Sequence, residues 1–142
     1  MVSLSTGFQG ITESQAELVK HWHTCRLDHQ LPQRDALDPG AIRAHLACIS
    51  IVEIGASGEV RFRLAGSGLR QVLGREMRGR LISELDQTVS EIWSLGLSSA
   101  LEKMSPVGGV IERETDAHAW LRLPLASPHN GVLVMCHDTL VP

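Results

Sequence analysis

The sequence predicts an α+β domain built on one five-stranded antiparallel sheet, and three observations carry that prediction. Extended segments fall into two groups at either end of a helical middle. Short turns join neighbours within each group, which only antiparallel pairing allows. An apolar-striped helix precedes them all. The 142 residues suit a single core. The opening residues, rich in Ser and Gly, read as a loose arm over 1–11, with one domain over 12–142.

The first helix is predicted over about Thr12 to Leu27. Thr12 and Gln15 form a capping-box pattern, and Leu18, Val19, Trp22 and Cys25 or Arg26 then recur at helical spacing. Glu17, Lys20 and His23 fall on the other side. Asp38-Pro39 starts a second short helix, running to Leu46, because proline in a first turn forgoes no hydrogen bond. The β-branched run Ile49 to Ile54 predicts a strand, and Gly55–Gly58 turns it into Glu59–Ala65. There Val60, Phe62 and Leu64 alternate with Arg61 and Arg63, the mark of a half-buried strand.

Short helical pieces are expected at Leu69–Leu73 and Ile82–Leu85, and a long one from about Thr88 to Lys103, striped by Ile92, Trp93, Leu97, Ala100 and Leu101. Strands return at Val110–Thr115, Ala117–Leu125 and Val132–Thr139, the last two parted by the turn signal Ser127–Gly131. In the middle one, Ala117, Ala119, Leu121, Leu123 and Leu125 share a face, with His118, Trp120 and Arg122 on the other.

A net charge of −3 gives no general pull toward nucleic acid or acidic membranes. No run approaches the roughly 20 apolar residues of a membrane span. The first residues lack a basic start followed by an apolar block, so no secretory leader is expected. Cys25, Cys48 and Cys136 are odd in number and form no CxxC pair. Reduced thiols in a cytoplasm are the expectation.

The stretch FRLAGSGLRQVLGREMRGR, Phe62 to Arg80, invites a phosphate-loop interpretation. Gly66-Ser67-Gly68 supplies two glycines of GxGxxG, but Gln71 stands where the third belongs, and Gly74 precedes Arg75 and Glu76 rather than Lys and Ser. The glycines are therefore expected to shape turns. The arginines Arg61, Arg63, Arg70, Arg75, Arg78 and Arg80 are interrupted by Glu59 and Glu76, and Phe62 between them falls on the apolar face of its strand. A solvated face with local ion pairs fits them better than a nucleic-acid surface.

These segments, in this order, resemble a PAS domain, and more closely a short single-domain PAS subfamily common in alphaproteobacteria. The residues that carry the similarity are Trp22, Asp38-Pro39, Arg63 through Gly66, Gly74 with Gly79, and Leu123-Pro124-Leu125. They run from about Leu18 to Thr139 and are structural rather than catalytic. The resemblance implies sheet order 2-1-5-4-3, with helices on one face. It further implies a stand-alone sensory module that binds a small apolar ligand or a protein partner and signals through protein contacts. Homodimers, through the N-terminal helix, are part of that expectation.

Leu64, Leu69, Trp93, Leu97, Leu123 and Met135 are the expected pocket lining, and its low polarity points to an apolar ligand. Leu18, Val19, Trp22 and Trp120 are the expected packing surface of the first helix, laid across the outer sheet face within the chain or against a second copy. No cofactor is required by the residues. A haem- or flavin-binding PAS sensor is the alternative, although the long helix carries no His and the helical middle no Cys. A small cone-shaped enzyme is the other. His118, His137 and Asp138 are its only plausible trio, with Glu112 or Glu114 nearby, yet His137 and Asp138 must point to opposite faces of one strand. No catalytic residue is assigned. In HWHTC, His21, Cys25 and His29 suggest a metal, but three ligands along one helix flank would span about 12 Å, too far for one ion. No metal, nucleic-acid or membrane partner is expected, and the signalling partner is unidentified.

Overall fold

Thr12 caps the first helix, α1 (Glu13–Cys25), by accepting the Gln15 N–H at 3.1 Å. The Gln15 carboxamide oxygen reaches back to the Ile11 N–H at 3.0 Å, one residue before the cap. The computed structural model of the protein describes residues 8–127 and 132–142. The turn expected at Ser127–Gly131 therefore lies, apart from Ser127, outside the described residues, as does most of the N-terminal arm.

Asp38 accepts the Gly40 N–H and opens α2 (Pro39–Ile42), which tightens into a 3-10 stretch over Arg43–Cys48. That stretch runs straight into β1 (Ile49–Ile54), which turns into β2 (Val60–Ala65). The helical middle holds α3 (Leu69–Leu73), a 3-10 turn at Ile82–Glu84, and α4 (Gln87–Lys103), capped by Asp86. Then come β3 (Val107–Glu112), β4 (Ala117–Leu125) and β5 (Val132–Val141). All five strands join one antiparallel sheet in the order β2-β1-β5-β4-β3.

Helix α1 ends at Cys25 rather than about Leu27, and α2 gives way to the 3-10 stretch after Ile42 rather than running to Leu46. Two strands also differ from the sequence expectation. β3 begins at Val107 and ends at Glu112, about three residues earlier than the run Val110–Thr115. Gly108 and Gly109, outside the expected run, both belong to the strand. A Cβ on Gly109 would stand 3.1 Å from the Trp120 ring, so the missing side chain makes room for indole. β5 extends to Val141 because β4 offers a partner as far as Ala117.

The glycines of the Phe62–Arg80 stretch shape turns. The Gly66 N–H donates to Ile49 O at 2.7 Å, and a Cβ there would lie 2.2 Å from the Leu46 carbonyl oxygen. Gly74 ends α3 at φ 78°, a conformation glycine adopts without strain. The neighbouring arginines sit in surface ion pairs: Arg63 with Glu53, Arg70 with Glu76, Arg80 with Glu84.

The sheet is covered on both sides. Over its outer face, α1 buries Leu18, Val19 and Trp22 against Leu121, Leu123 and Leu125. Over its inner face, α3 and α4 bury Leu69, Trp93 and Leu97 against Val52, Phe62 and Val134. The two edges differ. At β2, the Phe62 N–H donates to Arg80 O at 3.0 Å and the Gly79 N–H to Phe62 O at 2.8 Å, covering the middle of that margin. Among the described residues, β3 pairs with β4 alone.

Candidate functional site

Residues 32–48 fold back over the outer face as a thin cover. Ala126 N–H donates to Pro32 O at 2.8 Å and ties this segment to the end of β4. Between the cover and the sheet lies a cavity of about 420 Å³. Ile49 and Ile51 of β1, Leu64 of β2 and Met135 of β5 form its floor. Leu37, Pro39, Ile42 and Leu46 form its roof. Leu64, Ile51, Met135 and Leu123 stand in register across four adjacent strands, one apolar row of the pleated sheet. The exposed side chains of Arg34 and Asp35 stand at the rim.

The inner face has a different chemistry. Arg122 is 2% exposed and Asp138 0%, and the two meet in a bidentate pair with both contacts at 3.0 Å. His118 Nε2 lies 2.6 Å from Asp138 Oδ2. The Arg122 guanidinium lies 3.9 Å from the centre of the Trp93 ring and 5.4 Å from that of Trp120, cation–π contacts in a water-poor setting. Burial opposes the charge on Arg122, but the carboxylate beside it wins and raises the guanidinium pKa. Burial likewise opposes the charge on Asp138, and Arg122 overrides it to hold the carboxyl below its usual range. Cys136 shares this face, its thiol pushed up to about 12 by burial. It is no reactive thiol.

A third cluster fastens α1 to the rest. Gln15 is fully buried and its Nε2 donates to Ala119 O and to His137 Nδ1, both at 3.2 Å. Burial drops His137 to about 4, which keeps the ring neutral and Nδ1 free to accept. His45 packs edge-on to His137 and pairs with Glu17 of α1 at 3.0 Å. Farther along, His21 Nε2 accepts the Asp38 N–H at 3.0 Å, and the Cys25 thiol donates to Ala36 O at 3.2 Å. Trp22 Nε1–H donates to Pro124 O at 2.8 Å.

The expected pocket residues divide between the two faces. Leu64 and Met135 line the outer cavity and Leu123 extends their row, whereas Leu69, Trp93 and Leu97 are packed on the inner face. One pocket cannot hold all six, because the sheet lies between them. Trp120 also needs correction. It lies on the inner face between Gly96 of α4 and Gly109 of β3, not under α1 beside Trp22. Alternation gave the two faces of β4 but not their covers. The inner one went to His118, Trp120 and Arg122 because Asp138 pairs there.

Leu18, Val19 and Trp22 are buried within the chain itself. His137 and Asp138 do point to opposite faces, and His118 joins Asp138 alone. Among the described residues, no three His, Cys, Asp or Glu side chains stand close enough to share a metal. Nor do the inner-face donors fit a haem: His118 is committed to Asp138, and Trp93 and Phe62 fill the space between sheet and α4. Sequence reasoning missed Gln15 as a buried link, and it missed Arg122 and Asp138 as a pair. Their opposite charges in adjacent extended segments were the available signal.

A family model described as a PAS domain matches residues 11–122. A solved structure, a domain of an HTR-like protein from Haloarcula marismortui ATCC 43049, superposes with a TM-score of 0.51 at 13% identity, covering 66% of this chain and 98% of that one. That likeness concerns the fold. No curated protein matches the chain. Among the described residues, no helix is long and apolar enough to cross a membrane.

Proposed function

The chain belongs to the PAS domain family of sensory and signalling modules, and we propose that it senses a small apolar molecule held on the outer face of its sheet. The observation that carries this reading is the 420 Å³ cavity, whose floor and roof are apolar. Its size falls in the range of about 300–1,000 Å³ typical of small-molecule sites. The inner face, where the expectation put half of the pocket, is filled by Phe62, Trp93 and Leu97, each at most 1% exposed.

The roof gives the signal a route. Asp38, which opens α2 above the cavity, is bonded through its N–H to His21 of α1. Ala36, at the rim turn, accepts from Cys25 of α1. A ligand that shifts the roof therefore moves the contacts of α1, whose exposed side presents Glu17, Lys20 and His23. Output runs from there to a protein partner, either a second copy or a separate signalling protein. No step in this reading requires catalysis.

Thermal unfolding with a panel of neutral apolar compounds tests it. A compound that binds the native state at 100 times its Kd adds about 2.7 kcal/mol, a clear rise in Tm. Leu64→Phe, which fills the floor, should remove the rise while leaving the fold intact. A panel that gives no rise in the unmodified chain would end the proposal.

A further inference from the structure

We infer that the outer cavity takes a free α-amino acid with an apolar side chain, its carboxylate on Arg34 and its ammonium on Asp35. The inference rests on the ligand-sensing reading above and adds the chemistry of the head group.

Three observations lead to it. First, Arg34 and Asp35 are the two charged residues at the rim, and neither side chain has a hydrogen-bond or ion-pair partner among the described residues. Arg63, Arg70, Arg80 and Arg113 are each set against a carboxylate, and of the arginines without such a partner only Arg34 lines the cavity. Second, the pair is held in place. Arg34–Ala36 is a 3-10 turn. It is bracketed by the Gln33–Ala126 bridge, the Cys25 thiol on Ala36 O, and buried Leu37. The fixed turn sets the backbone of two oppositely charged residues at the cavity mouth, so that only their side chains remain to be ordered on binding.

Third, the charges exclude the simpler ligands. A lone carboxylate that reaches Arg34 also meets Asp35, and a lone ammonium at Asp35 meets Arg34. A zwitterion satisfies both, and the guanidinium fork suits a carboxylate in particular. Below the rim the cavity offers only apolar side chains. The part of the ligand that enters must be apolar too, since an unpaired polar group there loses its hydration without return. Leucine, methionine and phenylalanine meet both demands.

Isothermal titration of the full chain tests the assignment with L-leucine and three relatives that keep its branched end. These are 4-methylpentanoate, which lacks the ammonium, 3-methylbutylamine, which lacks the carboxylate, and neutral 3-methylbutanol. Leucine should bind about tenfold more tightly than any of the three, the worth of one charge-assisted hydrogen bond at about 1.4 kcal/mol. Arg34→Gln should remove its advantage over the amine, and Asp35→Asn its advantage over the acid. Both variants should hold the alcohol as the unmodified chain does. Binding of the alcohol as tightly as leucine, with both variants unchanged, overturns the head-group assignment and leaves apolar sensing standing. Failure of all four compounds overturns the cavity reading and this inference with it.

Discussion

One sheet separates two interiors built on opposite terms. The inner face is closed by a buried ion pair stacked between tryptophans, and the part of the outer face beside α1 by aliphatic side chains beneath a thin cover. On the inner side, Arg122, Asp138 and His118 are held to one another by directional contacts. On the outer side, the row Leu64, Ile51, Met135 and Leu123 meets its cover loosely enough to leave a cavity. Directional contacts define one arrangement, whereas dispersion contacts tolerate several. The fixed side serves as a frame, and the tolerant side is where a guest can enter.

The strongest test removes one member of the frame. Asp138→Ala strands a buried guanidinium and should destabilise the chain by about 3–5 kcal/mol in urea unfolding. The double variant Arg122→Met with Asp138→Leu should recover most of that loss, because the pair's attraction roughly offsets its desolvation. If the double variant is as unstable as the single one, the pair itself stabilises the inner face.

Acid should loosen the outer face first. An unfolded histidine titrates near 6.5 and His137 near 4, so between these values the unfolded chain binds the extra proton. Stability is therefore complete above pH 6.5 and drains as pH falls toward 4, by roughly 3 kcal/mol at most. Asp138, held below its usual 3.8, adds a further loss at lower pH. His137→Gln, with no ionisable ring, should flatten the upper part of that slope in melts taken from pH 7 to 4.

Trp22→Phe keeps most of the packing of α1 but removes the donor to Pro124 O. A loss of about 1–3 kcal/mol is expected, most of it from the stranded carbonyl. The smallest effect is also the most discriminating. Leu97→Phe overpacks the inner face and should cost about 1–3 kcal/mol. Leu64→Phe, facing the cavity, should change stability by less than about 1 kcal/mol. Equal losses in the two variants would erase the distinction between the faces.

Much of this frame was legible in the residues. Thr12 and Gln15 marked the start of α1, Asp38-Pro39 that of α2, and the periodicity of Leu18, Val19 and Trp22 identified the stripe that is buried. Strand alternation sorted β4 correctly into two faces. What it could not show was which helix covers which face, because the alternation in β4 alone does not say whether the face of Trp120 and Arg122 meets α1 or α4. Asp138, the partner of Arg122, lies in another strand, and their meeting depends on the β4–β5 register. The cavity was illegible for a different reason. Its roof is made by short turns between Arg34 and Cys48, which have no periodicity to betray their path.

The unequal margins of the sheet set a limit on assembly. Gly79 and Arg80 occupy the outward N–H and C=O of Phe62 at the middle of β2, while β3 pairs with β4 alone among the described residues. Two molecules joined at β3 would each present to a third a β2 margin already bonded at Phe62, which disfavours further growth by strand addition.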